Sequence, residues 1–222
     1  MTDEKPREMY LWSGTLSVFS AKVRIAAREK GVTLEIRDLP WTRARQWGDK
    51  PAALLAVSPR GEVPVLVDGD LAVFDSTIIN EYLEERLPGT SLMPSDAAGR
   101  AKCRMWEELA DDMLARALPV LVREVYLKPQ GAPRDETALA DARAAAARYH
   151  RRLEEALGGQ DYLCRAFSLA DIGNFLAVAF CRTLGAPPDD GLAHLAAWFQ
   201  RVAERPVVKD EFDTITRASA AA

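Results

Sequence analysis

The chain has 222 residues, 48% of them hydrophobic, and a formal net charge of -4; this is enough apolar length for one large or two small domains and excludes disorder as the main state. A mildly acidic chain has no overall attraction for nucleic-acid phosphates or anionic lipid, so neither is an expected partner. No apolar run nears the roughly 20 residues of a bilayer span, residues 2–8 are charged rather than an apolar signal core, and an intracellular, cytoplasmic protein is expected.

Taken in chain order, residues 8–12 read as a strand, and a Ser-Gly-Thr loop leads to a helix whose Phe19, Val23, Ala26 and Ala27 recur at helical spacing up to Gly31. Leu34 and Ile36 alternate with polar residues as a second strand, and loop 40–50 leads to a short helix at 52–56. Two short apolar runs, 64–67 and 71–74, flank Asp68-Gly69-Asp70, whose turn chemistry makes them an antiparallel hairpin. A helix opens at Ser76, builds an apolar face from Ile78, Ile79, Tyr82 and Leu83, and stops at Pro88-Gly89. The order is β-α-β-α-β-β-α, an α/β arrangement.

After a linker at 88–95 the strand patterns vanish and helical periodicity takes over, so the expected domains are 1–88 and an all-α 89–222. Residues 100–127 read as one or two helices with a bend at Pro119, and 136–157 as a helix closed by Gly158-Gly159. Ser168 and Asp171 form a capping box, with Phe167 placed to staple onto Ile172, and 172–180 reads as a buried central helix. Cys103, Cys164 and Cys181 lack Cys-x-x-Cys spacing, which speaks against a disulfide framework or a metal site and for buried, inert thiols.

Two stretches carry chemistry. In Gly61-Glu62-Val63-Pro64-Val65 a proline opens an apolar strand, and a cis bond there would turn the Val63 N–H and C=O outward, where an extended peptide can pair with them. In Phe74-Asp75-Ser76-Thr77 a strand runs straight into a helix, whose unpaired amides favour a carboxylate while Asp75 suits an ammonium. Lys50, just before the short helix, can complete the contact. This corner asks for the α-amino acid end of a ligand.

The series Ser58-Pro59-Arg60-Gly61-Glu62-Val63-Pro64-Val65-Leu66, the glycine hairpin and Phe74-Asp75-Ser76-Thr77 resembles the glutathione-binding half of the glutathione transferases. The Ser168-Leu169-Ala170-Asp171-Ile172 and Arg205-Pro206-Val207-Val208-Lys209 segments extend the resemblance into the helical half. It implies a thioredoxin-like N-terminal domain and a helical-bundle C-terminal domain, with glutathione as co-substrate and no metal. It also implies a homodimer and a role in detoxification. Residue by residue it implies that Val63 pairs with the cysteinyl unit, Pro64 is the cis-proline, and Asp75 with Ser76 holds the γ-glutamyl end. Asp75 is one methylene shorter than the Glu often found there.

The family places its thiol-activating residue in the loop after the first strand. Ser17-Val18-Phe19-Ser20-Ala21-Lys22-Val23-Arg24 is similar to the loop of the serine-type classes, with Val18 where a proline is usual. This nominates Ser17, with Ser13, Thr15 and Ser20 as substitutes; as an N-cap, Ser17 would ask two roles of one oxygen. The loop has no cysteine, which argues against thioltransferase chemistry. Tyr10 reads as packed in its strand, His150 and His194 as surface or core residues, and loop 41–47 as a cover over the ligand cleft. Thr15, Trp106, Met113 and Tyr126 are the candidates for the second-substrate wall. The helical segments also look somewhat like bacterial glutathione-dependent β-aryl etherases. A non-catalytic binding protein of the same fold is the alternative, and an interaction scaffold a more distant one.

Overall fold

A computed structural model describes residues 9–221; Glu8 and the charged 2–8 segment lie outside the described residues. Strand β1 (Met9–Ser13) is followed by helix α1 (Val18–Glu29), β2 (Glu35–Asp38), the short α2 (Ala52–Leu55), β3 (Val65–Asp68), β4 (Leu71–Phe74) and α3 (Ser76–Arg86). The strands form one sheet in the order β2-β1-β3-β4, with β2 parallel to β1 and both β3 and β4 antiparallel to their neighbours. Alternation along the strands sends Leu11 and Leu66 to one face, where they pack with Val23, Ala27, Ile79 and Leu83 of α1 and α3. It sends Trp12, Val65 and Val67 to the other, against Leu39 and Leu54. This is the thioredoxin-like arrangement.

Ile36 departs from its expected place. It is 44% exposed, because β2 is an edge strand and Leu34, two residues before it, supplies the apolar contact instead. Asp68 is more than a turn residue: it is buried at the hairpin and accepts from Tyr82 Oη at 2.7 Å and Arg86 Nε at 3.3 Å, tying α3 to the sheet.

The helical part comprises α4 (Ala97–Leu121), α5 (Glu136–Leu157), α6 (Leu169–Thr183), α7 (Ala193–Ala203) and α8 (Pro206–Ala221). Pro119 lies inside α4, and a π-helical turn, Val122–Leu127, follows it. Helix α6 is buried along nearly its whole length. Its capping box is present: Asp171 accepts from the Ser168 N–H and hydroxyl at 3.0 and 2.9 Å, and also from the Leu163 N–H and Trp198 Nε1. Among the described residues no helix is long and apolar enough to cross a membrane.

The chain divides into two compact units, residues 9–91 with α8, and Leu92–Arg205. The sequence assigns all of 89–222 to the helical domain, but α8 packs on α1. The cause is a set of contacts that no local pattern announces: Val208 and Ile215 are buried, and Glu211 and Asp210 pair with Arg24 and Arg28.

Candidate active site

Sheet register brings the sequence-nominated residues of the first unit to one end of the sheet. Ser13 at the end of β1 is level with Asp38, Trp12 with Val65, and Val65 with Phe74. The β1–α1 loop, the Val63–Pro64 segment and the Asp75 corner therefore open at the same edge, and α1 and α3 both begin there. Neither helix carries an acidic residue within its first turn; α1 presents the positive end of its dipole openly, while that of α3 is partly offset by its N-cap, Asp75.

The Val63–Pro64 peptide bond is cis. The turn before it is locked by the buried Ser58, whose hydroxyl accepts from the Glu62 N–H at 2.9 Å and donates to the Glu62 C=O at 3.0 Å. Gly61 has φ +62, which suits glycine, and a Cβ there would sit 3.2 Å from Lys50 Cδ and 3.3 Å from its Nζ; Lys50 therefore lies directly against this turn. The ladder starts only at Val65, and among the described residues neither backbone polar group of Val63 has a hydrogen-bond partner.

Asp75 turns β4 into α3 with φ 76 and ψ 126, a conformation that non-glycine residues seldom adopt and that is most often found where function holds it. Its carboxylate accepts from the Thr77 N–H at 3.0 Å and the Ile78 N–H at 3.5 Å, and Arg60 Nη2 stands 3.9 Å away. Ser76 is buried, and its N–H is unused among the described residues. Lys22, fully buried on α1, reaches Thr77 Oγ1 at 3.1 Å and so joins α1 to the first turn of α3.

Ser17 is the N-cap of α1, its Oγ accepting from the Ser20 N–H at 3.2 Å. The capping bond uses a lone pair and leaves the hydroxyl hydrogen available, so capping and donation to a ligand do not exclude each other. The other hydroxyls of the loop are set apart by burial or by a donated bond. Ser13 is fully buried and accepts from Arg24 Nη1; Ser20 is fully buried and accepts from the Gly14 N–H at 3.3 Å; Thr15 donates to Asp38 at 3.3 Å. Loop 41–47 meets this segment through Trp47: a Cβ on Gly14 would come within 2.3 Å of its ring, so a larger residue there would have to displace the indole.

Sequence reasoning missed the clamp that shapes this loop. Arg24 donates to Ser13 Oγ, the Gly14 C=O at 3.0 Å and the Thr15 C=O at 3.2 Å, and is itself held by Glu211 Oε1 at 2.6 and 2.9 Å. Arg24 stands in the quoted loop motif, but Glu211 lies far along the chain with no local signal. Tyr10 is packed as expected, beneath the Arg37 guanidinium at 3.3 Å. His194 is exposed and pairs with Glu154 at 2.8 Å, while His150 is buried. Trp106, Met113 and Tyr126 belong to the helical unit, where the first two are buried and Tyr126 is half-buried.

Residues 16–86 match the family model for the glutathione S-transferase N-terminal domain and residues 111–206 that for the C-terminal domain. Glutathione S-transferase 3 of Zea mays is 31% identical over 205 residues, covering 88% of this chain and 89% of the relative. Protein LigF of Sphingobium sp. is 30% identical over 204 residues, covering 72% and 77%. A solved glutathione S-transferase from Rhodospirillum rubrum F11 superposes with a TM-score of 0.78 at 28% identity over 91% of both chains. The solved LigF, described as a β-etherase, gives 0.75 at 25% identity, covering 93% of this chain and 99% of that one. With its fold, its sheet-edge corner and its likeness to these enzymes together, the chain belongs to the glutathione S-transferase family and is an enzyme of that type.

Proposed function

We propose that the protein binds glutathione at the sheet edge, ionises its thiol with a hydrogen bond from Ser17, and directs the thiolate at an electrophilic carbon of a largely apolar second substrate. The observation that carries this reading is Ser17 itself: a near-buried hydroxyl at a helix N-terminus, its oxygen occupied by the Ser20 amide and its hydrogen left to donate. A serine barely ionises at neutral pH, so it acts as donor rather than base. A thiol of pKa about 8.5 is about 3% ionised at pH 7; a drop of roughly 1.5 units, worth about 2 kcal/mol, makes about half of it thiolate. One charge-assisted hydrogen bond, about 1.5–3 kcal/mol, suffices with help from the α1 dipole.

The unpaired Val63 backbone supports strand-like pairing with the cysteinyl unit. The Ser76 amide and the α3 N-terminus would take the γ-glutamyl carboxylate, Asp75 its ammonium, and Lys50 a further ligand carboxylate. Thr15, Trp106, Met113 and Tyr126 are proposed to supply the surface that meets the second substrate, whose shape sets selectivity. The likeness to LigF makes aryl ether cleavage one reaction of this class: the thiolate forms a thioether as the C–O bond breaks and the departing oxygen takes a proton. A cytoplasmic homodimer acting in detoxification is part of the same proposal, and a monomeric mass in light scattering contradicts the dimer.

The test is to incubate the protein and glutathione with an aryl halide, an activated alkene and an aryl ether, and to look for thioether products by mass spectrometry. Enzyme-dependent thioether with at least one of them is the expected result. Glutathione binding without product from any leaves a binding protein of the same fold.

A further inference from the structure

Behind the β1–α1 loop, one side chain gathers three successive residues. Arg24, on α1, donates through Nη1 to Ser13 Oγ and to the Gly14 C=O at 3.0 Å, and through Nη2 to the Thr15 C=O at 3.2 Å. The Gly14 C=O also accepts from the Ser17 N–H at 3.0 Å, so the guanidinium and the N-cap residue share one oxygen. On its other side Arg24 is gripped by α8, where Glu211 Oε1 accepts from Nη2 at 2.6 Å and from Nε at 2.9 Å. Both side chains are nearly buried, so salt and solvent screen the pair little. Arg28 and Asp210, paired at 2.8 Å, tie α8 to α1 a second time.

These bonds form a continuous chain from Glu211 to Arg24, from Arg24 to the Gly14 carbonyl, and from that carbonyl to the Ser17 amide. A guanidinium can close it because its donors lie in a rigid planar fork, whereas an ammonium is a point charge that cannot serve all these acceptors at once. We propose that Arg24 and Glu211 are positioning residues for thiol activation: α8 fixes Arg24, Arg24 fixes the 13–15 turn, and that turn sets where the Ser17 hydroxyl meets the glutathione sulfur. This rests on the role proposed for Ser17, and neither Arg24 nor Glu211 touches the ligand in it.

Position is what the chain of bonds delivers. A donor serves the thiolate only when it is aligned with the sulfur, and a misplacement of about 1 Å at a reacting group can cost about 100-fold. Charge contributes little, because the Glu211 carboxylate lies against the guanidinium and offsets its field at the loop. The two agencies are separable. Removing Glu211 frees Arg24 to move and also unmasks its charge, so a positioning role predicts a weaker activation of the thiol and a charge role a stronger one. Since Oε1 alone takes both bonds from Arg24, Glu211→Gln keeps the acceptor and Glu211→Ala does not.

The test is the pH titration of bound-glutathione thiolate absorbance in wild type, Ser17→Ala, Glu211→Ala, Glu211→Gln and Arg24→Lys, each full length and checked for folding by circular dichroism. Wild type should show a lowered thiol pKa and Ser17→Ala should lose it. Glu211→Ala should lose most of the lowering, its thiolate fraction at pH 7 falling from about half towards about 3%, while Glu211→Gln keeps it. Arg24→Lys, which retains the charge and not the fork, should also lose most of it and replaces Glu211→Ala should that variant not fold. At about pH 5.5, where the thiol is protonated throughout, these variants should bind glutathione within about threefold of wild type, because Val63, Asp75 and Ser76 lie outside the clamp. A full or deepened lowering in folded Glu211→Ala or Arg24→Lys overturns the proposal and leaves the Ser17 reading standing. Glu211→Gln that loses as much as Glu211→Ala overturns it too, as does a loss of glutathione binding at about pH 5.5, which would assign the clamp to the integrity of the whole site. Wild type without the lowering, or Ser17→Ala that keeps it, removes the Ser17 reading and this proposal with it.

Discussion

One hydroxyl at position 17 is asked to end a turn and to serve a ligand, and it can do both because the cap takes a lone pair and the ligand would take the hydrogen. Such division is absent at His150, which is fully buried with neither ring nitrogen hydrogen-bonded among the described residues. Burial lowers its pKa to about 4 from 6.5, against a smaller pull from Asp189. The unfolded chain therefore binds this proton below about pH 6.5 while the fold refuses it until about pH 4. Its contribution is complete above pH 6.5 and is lost as the pH falls to 4, about 3 kcal/mol in all. Denaturant melts across that window should show His150→Leu losing less stability on acidification than wild type; parallel curves contradict the assignment. His150 was legible as a core or surface residue and no further, since its helix has charged and apolar residues on either side of it in sequence.

At the scale of elements, caps and turns were legible because their chemistry is local. Asp75 with Ser76 announces one helix start and Ser168 with Asp171 another, and α3 and α6 begin there. Asp75 has two separable duties, capping α3 and, as proposed, meeting the ligand ammonium. Asp75→Asn keeps a side-chain oxygen for the Thr77 N–H and removes the charge. Glutathione affinity should fall roughly 10- to 150-fold, the value of a charge-assisted hydrogen bond, with a nearly unchanged melting temperature. Loss of folding stability without loss of affinity would assign Asp75 to the cap alone. The Arg24 clamp and α8 were not legible, because an ion pair between residues 24 and 211 leaves no trace in any local window. Arg24 and Glu211 are 13% and 6% exposed. Glu211→Ala should therefore cost about 3–5 kcal/mol by leaving a buried guanidinium unpaired. A cost within about 0.5 kcal/mol, typical of a surface change, would show that the pair does not hold the loop.

Over the whole molecule, the β-α-β-α-β-β-α order followed by helices could be read from the switch in periodicity alone. What the switch could not reveal is that the last helix returns to the first unit. The same limit applies to the site. Val63, Pro64, Asp75 and Ser76 lie within one stretch and declare themselves by spacing, whereas Lys22 looks like a solvent-facing charge and is fully buried where α1 meets the first turn of α3. Buried lysine runs against the expectation for its residue type, so no pattern reading nominates it. Membership of the glutathione S-transferase family fixes the chemistry in outline and leaves the role of Ser17 as the claim on which the mechanism stands. The direct measurement is the ultraviolet absorbance of the thiolate of bound glutathione as a function of pH, in wild type and in Ser17→Ala. Wild type should ionise the bound thiol about 1–2 units below its free value of about 8.5, and Ser17→Ala should still bind glutathione but lose that shift. A bound thiol that titrates at its free value in wild type, or an undiminished shift in the variant, would contradict the role assigned to Ser17.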